Sequence, residues 1–156
     1  DCVAWYTARA SHAASIEDPA APVFLRSIAL AANEVASGGT LAFRVEGEVR
    51  DRAGLADVEA VGLRLRSTGS RQLVSRTSSV RCGVALSRDG PFAVEGQLQL
   101  NVPAGVYLVE VQPWDHRAQR TLQRSLGAAV TVREGPSFSG TVQLNVEMRL
   151  AAPQAP

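Results

Sequence analysis

The sequence predicts an all-β fold, an antiparallel β-sandwich of immunoglobulin-like or jelly-roll type with about eight or nine strands. Three observations predict it. Apolar and polar residues alternate with period two in one segment after another of residues 23–150, as half-buried strands require. Clusters of Gly, Pro, Asp and Ser interrupt these segments at intervals of roughly 8 to 15 residues. The chain has 156 residues, 46% of them hydrophobic, which is enough for one domain around one core.

Residues 1–22 are rich in Ala and Ser and end in EDPAAP, whose prolines stop a helix, so this stretch reads as a tether or linker helix. The sandwich then runs over 23–150. VFLRSIAL at 23–30 supplies the first apolar run. In TLAFRVEGEVR, residues 40–50, Leu41, Phe43, Val45 and Val49 take the core face, and Arg44, Glu46, Glu48 and Arg50 the wet one. VEAVGLRLR at 58–66 points Val61, Leu63 and Leu65 inward, with Arg64 and Arg66 outward. FAVEGQLQLNV at 92–102 buries Val94, Leu98, Leu100 and Val102 and exposes Glu95, Gln97, Gln99 and Asn101. GVYLVEVQPW at 105–114 sets Tyr107, Val109 and Val111 against Leu108, Glu110, Gln112 and Trp114.

GTVQLNVEMRL at 140–150 sets Val142, Leu144, Val146 and Met148 against Thr141, Gln143, Asn145 and Glu147. Shorter apolar runs at 71–76, 80–86 and 127–133 complete the strands, and 151–156 is expected to be a disordered tail. Turn chemistry separates the strands: SGG at 37–39, DRAG at 51–54, STGS at 67–70, RDGP at 88–91, PAG at 103–105 and EGP at 134–136. Cys82 falls on the inward phase of its run and reads as a buried, inert thiol. Tyr107 reads as a corner tyrosine whose hydroxyl finds a backbone acceptor.

Composition removes whole classes of chemistry. The chain has 16 Arg and no Lys, so it carries neither a Walker-type phosphate loop nor a Schiff-base lysine. A net charge of +1, with the arginines scattered singly, gives no field for nucleic acid. No apolar stretch approaches the ~18 residues of a membrane span, and the N-terminus does not read as a signal peptide. It also lacks an initiator Met, as a fragment or a processed chain would.

With two His and two distant Cys there is no spacing for a metal site, and no metal or cofactor is expected. A G-x-S-x-G elbow and an H-E-x-x-H helix are both absent. Asp115 and His116 are adjacent, but neighbours on a strand face opposite ways, and only a loop would bring them into an acid–base dyad. If Glu46, Glu48 and Glu110 share an outward face, a glycosidase-like carboxylate pair is conceivable. Their alternation with arginines fits a solvated face with cross-strand ion pairs better. The expectation is therefore a protein that is not an enzyme.

The outward surface near the end of the 105–114 strand is the distinctive feature. Trp114 shares a phase with Glu110 and Gln112 and is followed by Asp115 and His116, while Arg64 and Arg66 point outward from a neighbouring strand. A pyranose offers hydroxyls for planar amide, carboxylate or guanidinium groups and an apolar C–H face for an aromatic ring. These seven residues are the candidate carbohydrate-binding site. The competing reading makes Trp114 a cap on the core and the polar residues merely solvated.

From about residue 23 to 150 the chain resembles the C-terminal carbohydrate-binding domain of Wzt-type ATPase subunits, from ABC transporters that export O-antigen polysaccharide. The resemblance lies in an ordered series: VFLRSIAL, SGGTLAFRVEGEV, VEAVGLRLRSTGSRQLVSRTSS, NVPAGVYLVEVQPWD with its Pro-x-Gly-x-Tyr pattern, and REGPSFSGTVQLNVEMRL. Gly39 stands where the family has an acidic residue, and Asn145-Val146 replaces Asn-Pro. The resemblance implies a β-sandwich that binds the terminus of a polysaccharide. It further implies a homodimer formed by exchanging strand 139–150, an upstream nucleotide-binding domain, a membrane transporter subunit as partner, and a cytoplasmic location at the inner membrane. The alternative is a structural or adhesive immunoglobulin-like domain that contacts proteins and binds no glycan.

Overall fold

The computed structural model describes residues 6–9, 18–134 and 146–151. Along the chain the described strands are β1 (Tyr6–Arg9), β2 (Val23–Leu30), β3 (Glu34–Ala36), β4 (Thr40–Val49), β5 (Val58–Ser67), β6 (Leu73–Ser78), β7 (Gly90–Gln99), β8 (Gly105–Asp115), β9 (Arg120–Thr121), β10 (Leu126–Arg133) and β11 (Val146–Ala151). They form two sheets, β1-β2-β4-β7-β11 and β3-β10-β8-β5-β6, with β9 alongside β8. Every pairing is antiparallel except that of β3 with β10. The all-β sandwich expected from the alternation is the observed architecture.

The inward phases of both sheets meet in one cluster. Val23, Leu25, Ile28, Leu30, Leu41, Phe43, Val45 and Val94 come from the first sheet, and Val61, Leu63, Leu65, Tyr107, Val109, Val111 and Val130 from the second. Burying each large side chain contributes roughly 1.5–3 kcal/mol against leaving it in water. Gly47 occupies an inward position of β4, and a Cβ there would lie 2.6 Å from both the Phe24 carbonyl oxygen and the Phe92 ring. The glycine is the space that the ring fills.

The inward phase of β2 changes from odd to even between Leu25 and Ile28, because its register against β4 shifts between Leu25 and Ser27. Gln123 completes the hydrogen bonding of Leu25 there. Its Oε1 accepts from the Leu25 N–H at 2.8 Å and its Nε2 donates to the Leu25 carbonyl at 2.7 Å. Since Gln123 precedes β10, one buried amide ties the two sheets together. At the start of β8 the buried Tyr107 hydroxyl donates to the Pro103 carbonyl at 2.8 Å, the corner arrangement expected of it.

Three readings are corrected. Within 1–22, Tyr6–Arg9 is a strand paired with Ser27–Leu30; the rest of the tether up to residue 17 lies outside the described residues. Residues 80–83 are a turn and 84–86 have no regular structure, so 80–86 is not a strand. Cys82 N–H bonds back to the Ser78 and Ser79 carbonyls, Val84 N–H to that of Ser79, and Gly83 sits at φ 75°. A local alternation of apolar residues was overruled by Gly83 in a conformation that L side chains disfavour. Val80 is consequently exposed, and Cys82 is half-buried, with its Sγ 3.7 Å from Thr77 Oγ1. The last strand extends to Ala151, one residue into the expected tail; 140–145 and 152–156 lie outside the described residues.

Gly47→Ala should cost about 1–3 kcal/mol by overpacking, read as a lower urea midpoint with an unchanged slope. Tyr107→Phe should cost about 1 kcal/mol. Burial raises the Tyr107 pKa above its ordinary 10.0, so the folded chain holds a proton that the unfolded chain releases. That contribution is whole below about pH 10 and is lost as pH rises through the folded-state pKa. Stability measured across alkaline pH should therefore fall less steeply in Tyr107→Phe than in the parent.

Candidate functional site

The antiparallel pairing of β5 with β8 sets Glu59 opposite Trp114, Gly62 opposite Gln112, Arg64 opposite Glu110 and Arg66 opposite Leu108. Strand β6 adds Ser78 beside Gly62 and Arg76 beside Arg64. These residues form successive rows on the outer face of the second sheet. Trp114 is half-buried and lies outside the core cluster.

An irregularity between Glu59 and Gly62 sets the phase of this face. It buries both Ala60 and Val61 and turns Glu59 to the outside, against the strict alternation of the flanking residues. The Glu59 carboxylate is only 9% exposed and gathers two guanidinium groups and an imidazole. Arg76 Nη2 donates to its Oε2 at 3.3 Å, Arg81 Nε lies 3.8 Å from Oε1, and His116 Nε2 lies 3.3 Å from Oε1. From there the Arg76 guanidinium also reaches over the Trp114 ring, 5.9 Å from its centroid. Such a contact contributes about 0.5–1 kcal/mol at a partly wet site and fixes one face of the indole.

Between the Arg64 row and the Glu59 row the sheet carries Ser78, Gly62 and Gln112, all buried. A Cβ on Gly62 would come within 2.9 Å of the Gln112 carbonyl oxygen, so this row is low by necessity. Gln112 Oε1 accepts from Ser125 Oγ at 2.7 Å, which orients its amide. This row is closed to solvent, Ser78 at 0% and Gln112 at 3% exposure, between the Arg64 row and the row of Trp114 and Glu59.

The structure places six of the seven candidates, all but Asp115, on or beside the outer face of the second sheet. Arg66 Nε donates to Glu110 Oε2 at 2.7 Å, so that pair is internally matched. Asp115 Oδ1 accepts the N–H groups of Arg117 and Ala118, both at 2.8 Å, and is a turn-forming residue. His116 turns to Glu59 and not to Asp115, which removes the acid–base dyad. Sequence reasoning missed Glu59, Arg76 and Arg81. Glu59 falls on the inward phase of Val61 and Leu63, and a carboxylate at such a position was the signal of an irregular strand.

The first sheet is different. Glu46 and Glu48 lie on its outer face, away from Glu110, so the three carboxylates share no surface. Arg26 pairs with Glu48 at 2.6 Å, Arg44 with Glu46 at 2.9 Å and Glu95 at 2.6 Å, and Arg149 with Glu95 at 3.2 Å. Burial opposes the charge of Arg44, but the hydrogen bonds to Glu46 and Glu95 outweigh it and raise its pKa. That face is charge-matched. A separate cavity of about 310 Å3 opens between Leu86, Arg88, Phe92 and Leu150, with walls of mixed apolar and polar character. Among the described residues no group of His, Cys, Asp and Glu is placed to hold a metal ion, and no helix is long and apolar enough to cross a membrane.

No protein-family model matches the chain, and no curated protein matches it. Among solved structures the chain is similar to the crystal structure of the C-terminal domain of wzt, with a TM-score of 0.57 and 11% identity. The match covers 87% of this chain and 82% of that one. At that identity the likeness is one of fold.

Glu59→Gln should release Arg76 from the indole. The Trp114 Nε1–Hε1 resonance should move markedly in a 15N–1H spectrum, with a stability loss of about 1–2 kcal/mol, whereas Glu48→Gln on the other sheet should leave that resonance in place.

Proposed function

We propose that the chain is a non-catalytic carbohydrate-binding domain that recognises the terminus of an O-antigen-like polysaccharide for export by an ABC transporter. One observation carries the reading: Trp114 stands half-buried on the outer face of the second sheet, outside the core, beside the hydrogen-bonding groups of Arg76, Glu59 and His116. The sequence resemblance to Wzt-type C-terminal domains and the fold likeness to such a domain support the same assignment.

In this account a terminal sugar stacks on the indole while Arg76 swings aside. Glu59 and His116 then meet hydroxyls at the ring edge, through water where the reach is long. Such recognition is shallow and weak per site, and a homodimer strengthens it by raising effective concentration. β11 pairs with β7 over Val146–Ala151, and the proposed dimer would fill that edge of β7 with the same strand from a second copy. The upstream nucleotide-binding domain and the transporter subunit would hold the domain at the cytoplasmic side of the inner membrane.

Titration of the chain with O-antigen polysaccharides should give saturable heat without any change in the glycan. Trp114→Ala should weaken binding at least tenfold, about 1.4 kcal/mol. Absence of binding across a broad glycan panel would leave an adhesive or structural domain instead. Light scattering should give twice the 16.5 kDa chain mass, and removal of 139–156 should reduce it to a monomer. A dimer that survives the removal would exclude strand exchange.

A further inference from the structure

The two outer faces differ in charge balance. On the first sheet each of Arg26, Arg44 and Arg149 meets a carboxylate. On the second, Arg64, Arg66, Arg76 and Arg81 share Glu59 and Glu110. Both carboxylates are already engaged: Glu110 by Arg66 at 2.7 Å, and Glu59 by Arg76, Arg81 and His116. Arg64 stands between Arg66 and Arg76, and among the described residues it has no hydrogen-bond or ion-pair partner. Its guanidinium nitrogens reach solvent, since no buried side-chain nitrogen among the described residues lacks a partner, so its N–H donors are open to an acceptor from a ligand.

The surroundings make the deficit larger. Burial lowers the Arg64 pKa, the neighbouring charges of Arg76 and Arg66 lower it further, and Glu110 and Glu59 offset this only in part. An oxyanion placed against Arg64 would relieve both effects. Its row lies two alternate positions from that of Trp114, roughly 13 Å along β8 at the rise of an extended strand. That span is about two sugar units.

We infer that Arg64 is an anion-binding residue, and that the glycan stacked on Trp114 carries a carboxylate or phosphate group about two units further along, gripped by the Arg64 fork. This rests on the glycan reading of the same face. The planar guanidinium matches either oxyanion through two parallel N–H bonds, which an ammonium cannot reproduce. Arg76 and Arg66 add long-range attraction while keeping their own carboxylates.

The test uses the whole chain, Arg Nε–Hε resonances, and four probes: methyl β-glucoside, methyl β-glucuronide, methyl β-glucoside 6-phosphate and inorganic phosphate. The resonance missing in Arg64→Gln identifies Arg64. We expect the three anionic probes to move it and the neutral glucoside to leave it still. The better of glucuronide and sugar phosphate identifies the source of the anion. Arg64→Gln should weaken the anionic glycosides about 10- to 100-fold. Arg64→Lys should recover only part of this, and Arg88→Gln, remote from the face, should change nothing.

Unchanged thermal midpoints in both Arg64 variants would separate lost binding from lost folding. Equal affinity for glucoside and glucuronide, unaltered in Arg64→Gln, would overturn the inference and leave the glycan reading intact. A phosphate-dependent shift of Arg64 with no glycoside binding would support the anion site and remove the glycan reading.

Discussion

One extra residue in β5 governs the outer face of the second sheet. Without the irregularity between Glu59 and Gly62, the side chain of residue 59 would follow Val61 and Leu63 into the core, where an ionised carboxylate is untenable. With it, Glu59 surfaces beneath Trp114 and draws in Arg76, Arg81 and His116. Arg76 then lies over the indole, and the adjoining row of Ser78, Gly62 and Gln112 is buried. The position of each group that would touch a ligand follows from that local change of phase.

Energetically the two halves of the molecule have separate tasks. The core is conventional, with large aliphatic side chains from two sheets interdigitating around Phe43, and it supplies the stability. The surface ion pairs contribute at most about 1 kcal/mol each, so they cannot be retained chiefly for stability. On the first sheet they cancel locally. On the second they are arranged asymmetrically around two carboxylates, which leaves Arg64 with unused hydrogen-bonding capacity. An excess of one charge beside an aromatic ring is a property of a surface that meets something else.

Period-two alternation made the core legible in the sequence: Leu41, Phe43, Val45, Leu63, Leu65, Val109 and Val111 are buried where their phase puts them. It also put Trp114, Glu110, Gln112, Arg64 and Arg66 on one face correctly. Two things were hidden. Strand irregularities at Leu25–Ser27 and Glu59–Gly62 change phase without changing composition, so Glu59 was read past. Short strands such as β3 and β9 have too few residues to show a period, and the 80–86 run mimics one while Gly83 turns the chain. Burial of an outward residue was equally invisible: Gln112 faces out yet is 3% exposed, covered by the long side chains around it. Asp115 looked like a ligand because of its neighbours, whereas its carboxylate closes its own turn.

The central claim is that a glycan binds the outer face of β5, β6 and β8. Mapping amide and side-chain chemical shifts of the whole chain during titration with an O-antigen polysaccharide tests it most directly. The account predicts saturable shifts concentrated on Glu59, Arg64, Arg76, Gln112 and Trp114. Shifts confined to the face of Arg44, Glu46 and Glu95, or to the cavity beside Phe92, would contradict it.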